Sequence, residues 1–106
     1  MNNNFNLTQE NDCPFREGDI VRHFKWETDT PENIRRYLYK IIGFAQHTET
    51  NEKLVIYESA IYPPHKIFAR PYDMFISQVD HNKYPNIKQK FRLEVVNESN
   101  YLSHLD

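Results

Sequence analysis

Two histidines, two arginines and the polar residues beside them are the side chains best suited to chemistry. His47 and Glu49 are two positions apart in a polar stretch, so they could share one face at a strand end. An imidazole beside a carboxylate can act as a base with its orienting partner. Arg70 precedes Pro71, which restricts Arg70 to an extended backbone. This arrangement fixes the base of a guanidinium, the group that binds planar anions through two hydrogen bonds.

We predict that these groups form one binding surface, with cations at the rim and an aromatic wall. Such a surface suits a phosphate, a carboxylate or a single-stranded nucleic acid. In it, Arg70 would contact an anionic group, Tyr57 would supply the wall, and Glu49 would orient His47 or take a ligand hydroxyl. The candidate ligand-binding residues are Arg22, His23, Lys25, His47, Glu49, Thr50, Tyr57 and Arg70.

Other kinds of site have less support. Zinc takes three or four N, S or O ligands, and the only cysteine, Cys13, lies outside the predicted core. With only two glycines, the chain has no Gly-rich phosphate loop. We therefore predict no metal, no cofactor and no catalytic residue. A protein-interaction module without a small ligand is the main alternative, and an enzyme using His47 and Glu49 is a weaker one.

Composition limits the class of protein. A chain of 106 residues with 39% hydrophobic and 26% charged residues fits one folded domain. The net charge of −2 is not that of a strong nucleic-acid binder. No apolar run approaches the roughly 20 residues that span a bilayer, and the N-terminus lacks signal-peptide features. We expect a cytoplasmic protein with no membrane partner, and the composition leaves its oligomeric state open.

Five alternating stretches are expected to position the candidate residues. The centre is a hairpin whose strands flank the polar turn at 46–52, and Gly43 inside its first strand predicts a β-bulge. Thr30 and Pro31 predict a helical turn in the 26–36 segment, and Pro71 predicts another that ends at Phe75. The predicted strands are 20–24, 39–45, 53–58, 67–70 and 91–96.

Sequential short strands in a domain of this size predict a mostly β fold. The expected architecture is a small SH3-like, partly open antiparallel barrel with a short helical turn before the last strand. A small α+β roll is the alternative. We expect this domain to span 14–97, preceded by a flexible segment at 1–13 and followed by a tail at 98–106.

A string of short motifs resembles the bacterial proteins grouped as domain of unknown function 1653. The resemblance implies a small β-barrel and a bacterial cytoplasmic setting, and no established activity. This chain departs from the family pattern at two places. It has a longer insertion after Lys25, and it has Phe68-Ala69 where the family usually has Trp-Val. The matching blocks are Arg22-His23-Phe24-Lys25, 39–43, 45–50, Val55-Ile56-Tyr57, Arg70-Pro71 and Met74-Phe75.

Overall fold

Within the part of the chain that the structure describes, one antiparallel sheet of five strands forms the body of the protein. The computed structural model describes residues 13–61, 63 and 65–96. The strands follow the spatial order β4-β3-β2-β1-β5, so the predicted mostly β, partly open antiparallel fold is confirmed. The strands are β1 (Ile20–His23), β2 (Leu38–Gln46), β3 (Lys53–Ser59), β4 (Ile67–Pro71) and β5 (Leu93–Val96).

The central hairpin is the best-paired part of the sheet. β2 and β3 run antiparallel from Tyr39 opposite Ser59 to Gln46 opposite Lys53. The register shifts between Ile41 and Gly43, which confirms the bulge predicted from the glycine. A bulge bends the strand and increases its twist, and a strongly bent β2 helps to curve the sheet around its inner face.

The inner face of the sheet carries the main core. Val21, Ile41, Val55 and Leu93 lie on it at alternating strand positions and are almost fully buried. Phe75 covers them from the segment after β4 and is fully buried. Alternation with a period of two places these residues on one side of a pleated sheet, so the sequence pattern accounts for the core.

Between the described strands lie three short helical segments. Two 3₁₀ helices, Phe24–Thr28 and Pro31–Tyr37, follow β1 directly, and α1 (Tyr72–Phe75) follows β4. The turns starting near Pro31 and Pro71 were predicted, whereas the helix at Phe24–Thr28 was not, and Phe24 had been predicted to end the first strand. Thr30 flanks the second helix as predicted, but its side chain makes no capping bond.

The last strand is shorter than predicted. It begins at Leu93 rather than at residue 91, because Phe91 forms only an isolated bridge with Gln78. The Glu94 carboxylate accepts the backbone N–H groups of Lys90 and Phe91. These bonds satisfy the local backbone without a partner strand, so the ladder is not extended.

Among the described residues, β4 and β5 are the outer strands, and each pairs with one neighbour. We call the opening between these two edges the seam. No helix in the described part of the chain is long and apolar enough to cross a membrane. The flexible segment predicted at 1–13, apart from Cys13, and the tail predicted at 98–106 lie outside the described residues.

Candidate functional site

A cavity of about 230 Å³ opens on the inner face of the sheet, and we call it the seam cavity. Each of the five strands contributes one lining side chain, so both edges of the seam reach it. The two 3₁₀ helices contribute the remaining two. Its lining residues are His23, Lys25, Tyr37, Tyr39, Tyr57, Arg70 and Leu93.

Aromatic rings form a continuous row that starts in the cavity and ends at the exposed ring of Phe68 in β4. The Tyr39 and Tyr57 ring centroids are 5.4 Å apart in an edge-to-face contact. The centroid of the Phe68 ring lies 5.5 Å from that of Tyr57. Phe68 is 41% exposed whereas Tyr57 is only 8% exposed. Such ring pairs contribute about 0.5–1.5 kcal/mol beyond the area they bury, so contacts within the protein itself stabilise this wall.

Two cationic side chains complete the lining. Lys25 comes from the first 3₁₀ helix and Arg70 from β4. The charge of Arg70 acts on His23 in β1 and on Tyr39 in β2, which line the same cavity. No Asp or Glu is among the described residues that line the cavity. The seam cavity is therefore electropositive although the whole chain carries a net charge of −2.

His23 supplies a neutral polar group to this surface. Burial, and then the charges of Arg92, Lys25 and Arg70, together lower the pKa of its imidazole to about 4. Its Nδ1 accepts the backbone N–H of Lys25 at 3.2 Å. A neutral ring that accepts at Nδ1 carries its proton on Nε2, so His23 can donate one hydrogen bond to an anion at neutral pH.

The 26–36 insertion holds one wall of the cavity. Asp29 accepts hydrogen bonds from the Tyr37 hydroxyl at 2.6 Å and from the Asn33 amide at 2.9 Å. The bond from Tyr37 is the main reason that the pKa of Asp29 falls to about 2, followed by the bonds from Asn33 and Thr30. The same bond raises the pKa of Tyr37. Because its hydroxyl is engaged by Asp29, Tyr37 offers the cavity mainly its ring.

Four of the eight predicted ligand-binding residues meet in the seam cavity: His23, Lys25, Tyr57 and Arg70. Sequence reasoning missed Tyr37, Tyr39 and Leu93. The signal for Tyr39 was present, because it alternates with the buried Ile41 on the inner face of β2. The positions of Tyr37 and Leu93 depend on the insertion and on the pairing of β5 with β1, which no local pattern specifies.

The turn residues predicted for the site lie elsewhere. His47, Glu49 and Thr50 occupy the hairpin turn after Gln46, at the far end of β2 from Tyr39. At about 3.3 Å per residue the eight residues from Tyr39 to His47 correspond to roughly 26 Å. The two ends of β2 are therefore too far apart to share a small ligand.

His47 has a local structural role in that turn. Its Nδ1 accepts the backbone N–H groups of Glu49 and Thr50, at 3.1 and 3.4 Å. The imidazole thus bonds to the backbone of Glu49, not to its carboxylate. A side chain that accepts backbone N–H groups of its own turn stabilises that turn locally, and here the histidine is the acceptor.

Arg22 points away from the seam cavity, since its neighbours Val21 and His23 face the inside. Its Cζ lies 4.0 Å from the Trp26 ring centroid. Burial lowers the pKa of Arg22, and the charges of Glu27 and Glu94 oppose that shift. Arg22 therefore joins the packing on the outer face, and the predicted convergence of all eight residues does not occur.

No three His, Cys, Asp or Glu side chains within the described ranges are close enough to bind a metal ion together. His23 lines the seam cavity, whereas His47 and Glu49 lie in the distant turn. The absence of a metal requirement stays a prediction, and exhaustive chelation followed by thermal denaturation would check it.

Comparison with known proteins yields a family and no activity. The model of the family described as protein of unknown function (DUF1653) matches residues 19–93, which include all seven residues lining the seam cavity. No curated protein and no solved structure matches the chain. Since the match covers most of the chain, this protein belongs to the DUF1653 family.

Proposed function

We propose that this protein is a binding module that takes a small ligand with an anionic group attached to a flat or apolar part. One observation carries the proposal: the seam cavity brings two cations and several aromatic rings together without a carboxylate. A phosphate, a carboxylate or a nucleotide-like group would meet both requirements.

Each lining group has a role in this proposal. Arg70 makes two parallel hydrogen bonds to the anionic oxygens, and Lys25 adds a second positive charge. The neutral His23 donates from Nε2. Tyr39 and Tyr57 contact the apolar part of the ligand with their rings. Because Pro71 and the pairing with β3 hold the backbone of Arg70, little ordering entropy is lost when the ligand binds.

The volume limits the ligand. Sites for drug-sized molecules measure about 300–1,000 Å³, whereas the seam cavity measures about 230 Å³. A single ring bearing a phosphate or carboxylate fits that space better than a complete dinucleotide. A larger ligand would place one end in the cavity and extend over the exposed ring of Phe68.

Titration of the ¹⁵N-labelled protein with phenyl phosphate, benzoate and adenosine monophosphate tests the proposal. Benzamide is the neutral control because it has the shape of benzoate without the charge. We expect saturable shifts at the amides of Tyr39, Tyr57 and Arg70 with the anions, and much weaker ones with benzamide. A charged hydrogen bond contributes about 1.5–3 kcal/mol, so Arg70→Ala should weaken binding roughly 10-fold to 100-fold.

Two variants sharpen the test. Arg35→Ala removes an exposed arginine outside the cavity and should leave the affinity unchanged. Arg70→Lys keeps the charge but not the two-pronged geometry, so a clear loss would support a bidentate contact. Binding that is equal for benzoate and benzamide, or that survives Arg70→Ala unchanged, would refute the proposed site.

The proposal includes two broader features. A cytoplasmic location is supported by the single cysteine, which excludes an internal disulfide framework. A protein-interaction role is favoured by one specific observation, the exposed apolar side chains of Ile67 and Phe68 on an edge strand. A protein whose cavity binds no small anion, but whose β4 edge captures a peptide, would have that second function instead.

A further inference from the structure

We infer that the anionic group bound in the seam cavity is the C-terminal carboxylate of an extended peptide, which adds as a strand to the free edge of β4. This inference rests on the proposed function, since it needs the cavity to bind an anion. It goes further by naming the partner class as the carboxyl-terminal segment of a protein.

The edge of β4 is suited to strand addition. Among the described residues β4 pairs only with β3, so its other side presents unpaired backbone N–H and C=O groups. Ile67 is 65% exposed and Phe68 is 41% exposed. Proteins commonly protect such an edge with charges or a covering segment. Ala69 is also exposed and uncharged, so the run 67–69 carries no charge, although Lys66 precedes it and Pro71 ends the strand.

The edge leads directly to the cations. Phe68 and Arg70 lie on the same face of β4, because they are two residues apart and pair with Tyr57 and Val55 of the inner face. A peptide beside β4 would therefore run past the Phe68 ring towards the guanidinium. Its last side chain would contact the aromatic wall, while its terminal carboxylate would reach Arg70 and Lys25.

Charge complementarity favours a peptide end over a nucleic acid. Each nucleotide of a single strand carries a phosphate, and strong binders offer a basic groove that follows the backbone. Here the cavity lining contains only Lys25 and Arg70 as permanent cations, and the whole chain is acidic. Two cations suit a single carboxylate. Main-chain bonds to a strand edge then supply affinity, and pockets for alternate side chains supply specificity.

Selection from a displayed library of random octapeptides with free carboxyl termini tests the inference. In each round, peptides that bind the Arg70→Ala variant are removed first, so that the peptides that remain depend on the cavity. We expect enrichment of an apolar last residue. The best peptide should bind at least 10-fold more weakly as its C-terminal amide. An enriched peptide that binds equally well as its amide, for example through an internal Asp or Glu, would overturn the assignment of the carboxylate.

Backbone pairing has its own signature. In a strand bound to one edge, only alternate N–H groups point towards that edge. N-methylation of each peptide residue in turn should therefore abolish binding at every second position and be tolerated between them. A scan without this period of two would refute strand addition, even if the peptide binds. Phe68→Ala should weaken the peptide about 10-fold, and the matched control Ile42→Ala, another exposed apolar residue, should not.

The outcomes separate this inference from the proposed function. If benzoate binds in an Arg70-dependent way and no peptide is enriched, the cavity takes small anions and the peptide inference fails. If neither binds, both fail. Binding of a 5′-phosphorylated octathymidylate that displaces benzoate, without peptide enrichment, would replace the peptide with a single-stranded nucleic acid.

Discussion

The imidazole of His23 lies half-buried among three cationic side chains. Burial and then the charges of Arg92, Lys25 and Arg70 lower its pKa to about 4, against 6.5 for an ordinary histidine. Since the folded pKa is the lower one, the unfolded chain binds more protons between those two values. The free energy of unfolding therefore falls as the pH drops from about 6.5 to about 4, and the contribution levels off below that window.

This leads to a first prediction, for the variant His23→Gln. Because glutamine does not titrate, the variant should lose less thermal stability than the native chain between pH 6.5 and pH 4. Melting curves followed by circular dichroism at half-unit pH steps measure the difference. His81→Gln, at an exposed histidine outside the cavity, is the control and should follow the native curve. Parallel curves for native protein and His23→Gln would contradict the lowered pKa.

Four of the seven side chains that line the seam cavity were predicted from sequence. Arg70 was identified because Pro71 holds its backbone, and Tyr57 was chosen as the aromatic wall of the same surface, where it is indeed found. His47 has the same chemistry as His23, but His23 lies beside the start of β2 whereas His47 follows its end. Which of two histidines meets an arginine depends on which strands pair, and residue types do not specify that pairing.

At the scale of elements, two glycines differ in backbone conformation: Gly18 lies in a turn and Gly43 in the bulge of β2. Gly18 has φ of +89°, and its N–H donates to the Ile41 carbonyl at 2.8 Å. Gly43 marks the bulge in β2 but does not have positive φ. A Cβ added there would meet only Glu17 Oε2, at an ordinary 3.7 Å. The bulge therefore does not need a glycine, whereas the turn at Gly18 does.

The second prediction is that alanine at these two positions has opposite effects. Gly18→Ala should lower the free energy of unfolding by about 1–2 kcal/mol, because a Cβ disfavours the left-handed region. Gly43→Ala should be neutral or stabilising by up to about 1 kcal/mol, because glycine in a strand interior costs conformational entropy. Urea denaturation of the two variants, each serving as the control for the other, measures the difference. A larger loss for Gly43→Ala would contradict this account.

Gln89 ties the segment before β5 to the rest of the fold. It is only 8% exposed, and its Nε2 donates to the carbonyls of Arg22 and Phe91 at 3.0 and 2.9 Å. Its Oε1 accepts the indole N–H of Trp26 at 3.0 Å. The backbone N–H of Gln89 also donates to Glu27, so both ends of this residue bind the region around the first 3₁₀ helix.

The third prediction concerns Gln89→Met, which keeps the size of the side chain and removes its polar atoms. The two carbonyls lose a donor, so the free energy of unfolding should fall by about 1–3 kcal/mol. The control is Gln78→Met, at an exposed glutamine, which should change it by less than about 0.5 kcal/mol. Chemical denaturation measures both, and equal effects would show that the buried hydrogen bonds contribute nothing.

Strand positions were predictable because alternation is a local pattern, and the bulge was predictable from one glycine. The 3₁₀ helix at Phe24–Thr28 was not, because its contacts are distant in sequence. Glu27 in that helix accepts backbone N–H groups of Lys88 and Gln89, more than sixty positions away. The geometry of such a segment is selected by tertiary hydrogen bonds and not by helix propensity.

At the scale of the whole molecule, the core extends over nearly the full described chain. Among the described residues, the buried apolar side chains run from Phe15 to Val96. β5, at the carboxyl end of this range, pairs with β1 near its amino end. This pairing makes the two ends of the predicted domain depend on each other. Interrupting the chain within 15–96 would therefore disrupt the sheet, whereas shortening it outside that range would spare every buried residue described.

The last prediction follows from that arrangement: a segment comprising 14–97 should fold alone. It keeps all of the described core and both partners of the β1–β5 pairing. It lacks Cys13, whose Sγ contacts the Phe15 carbonyl at 3.1 Å and whose side chain packs against the core. We expect cooperative urea unfolding with the m-value of the full chain, because m follows the surface exposed on unfolding. The free energy of unfolding should be lower by about 1 kcal/mol, and Cys13→Ala in the full chain should reproduce most of that loss.

A control segment ending at residue 92 removes β5 and should not fold. Non-cooperative unfolding of 14–97 would show that residues beyond these bounds are needed for the sheet.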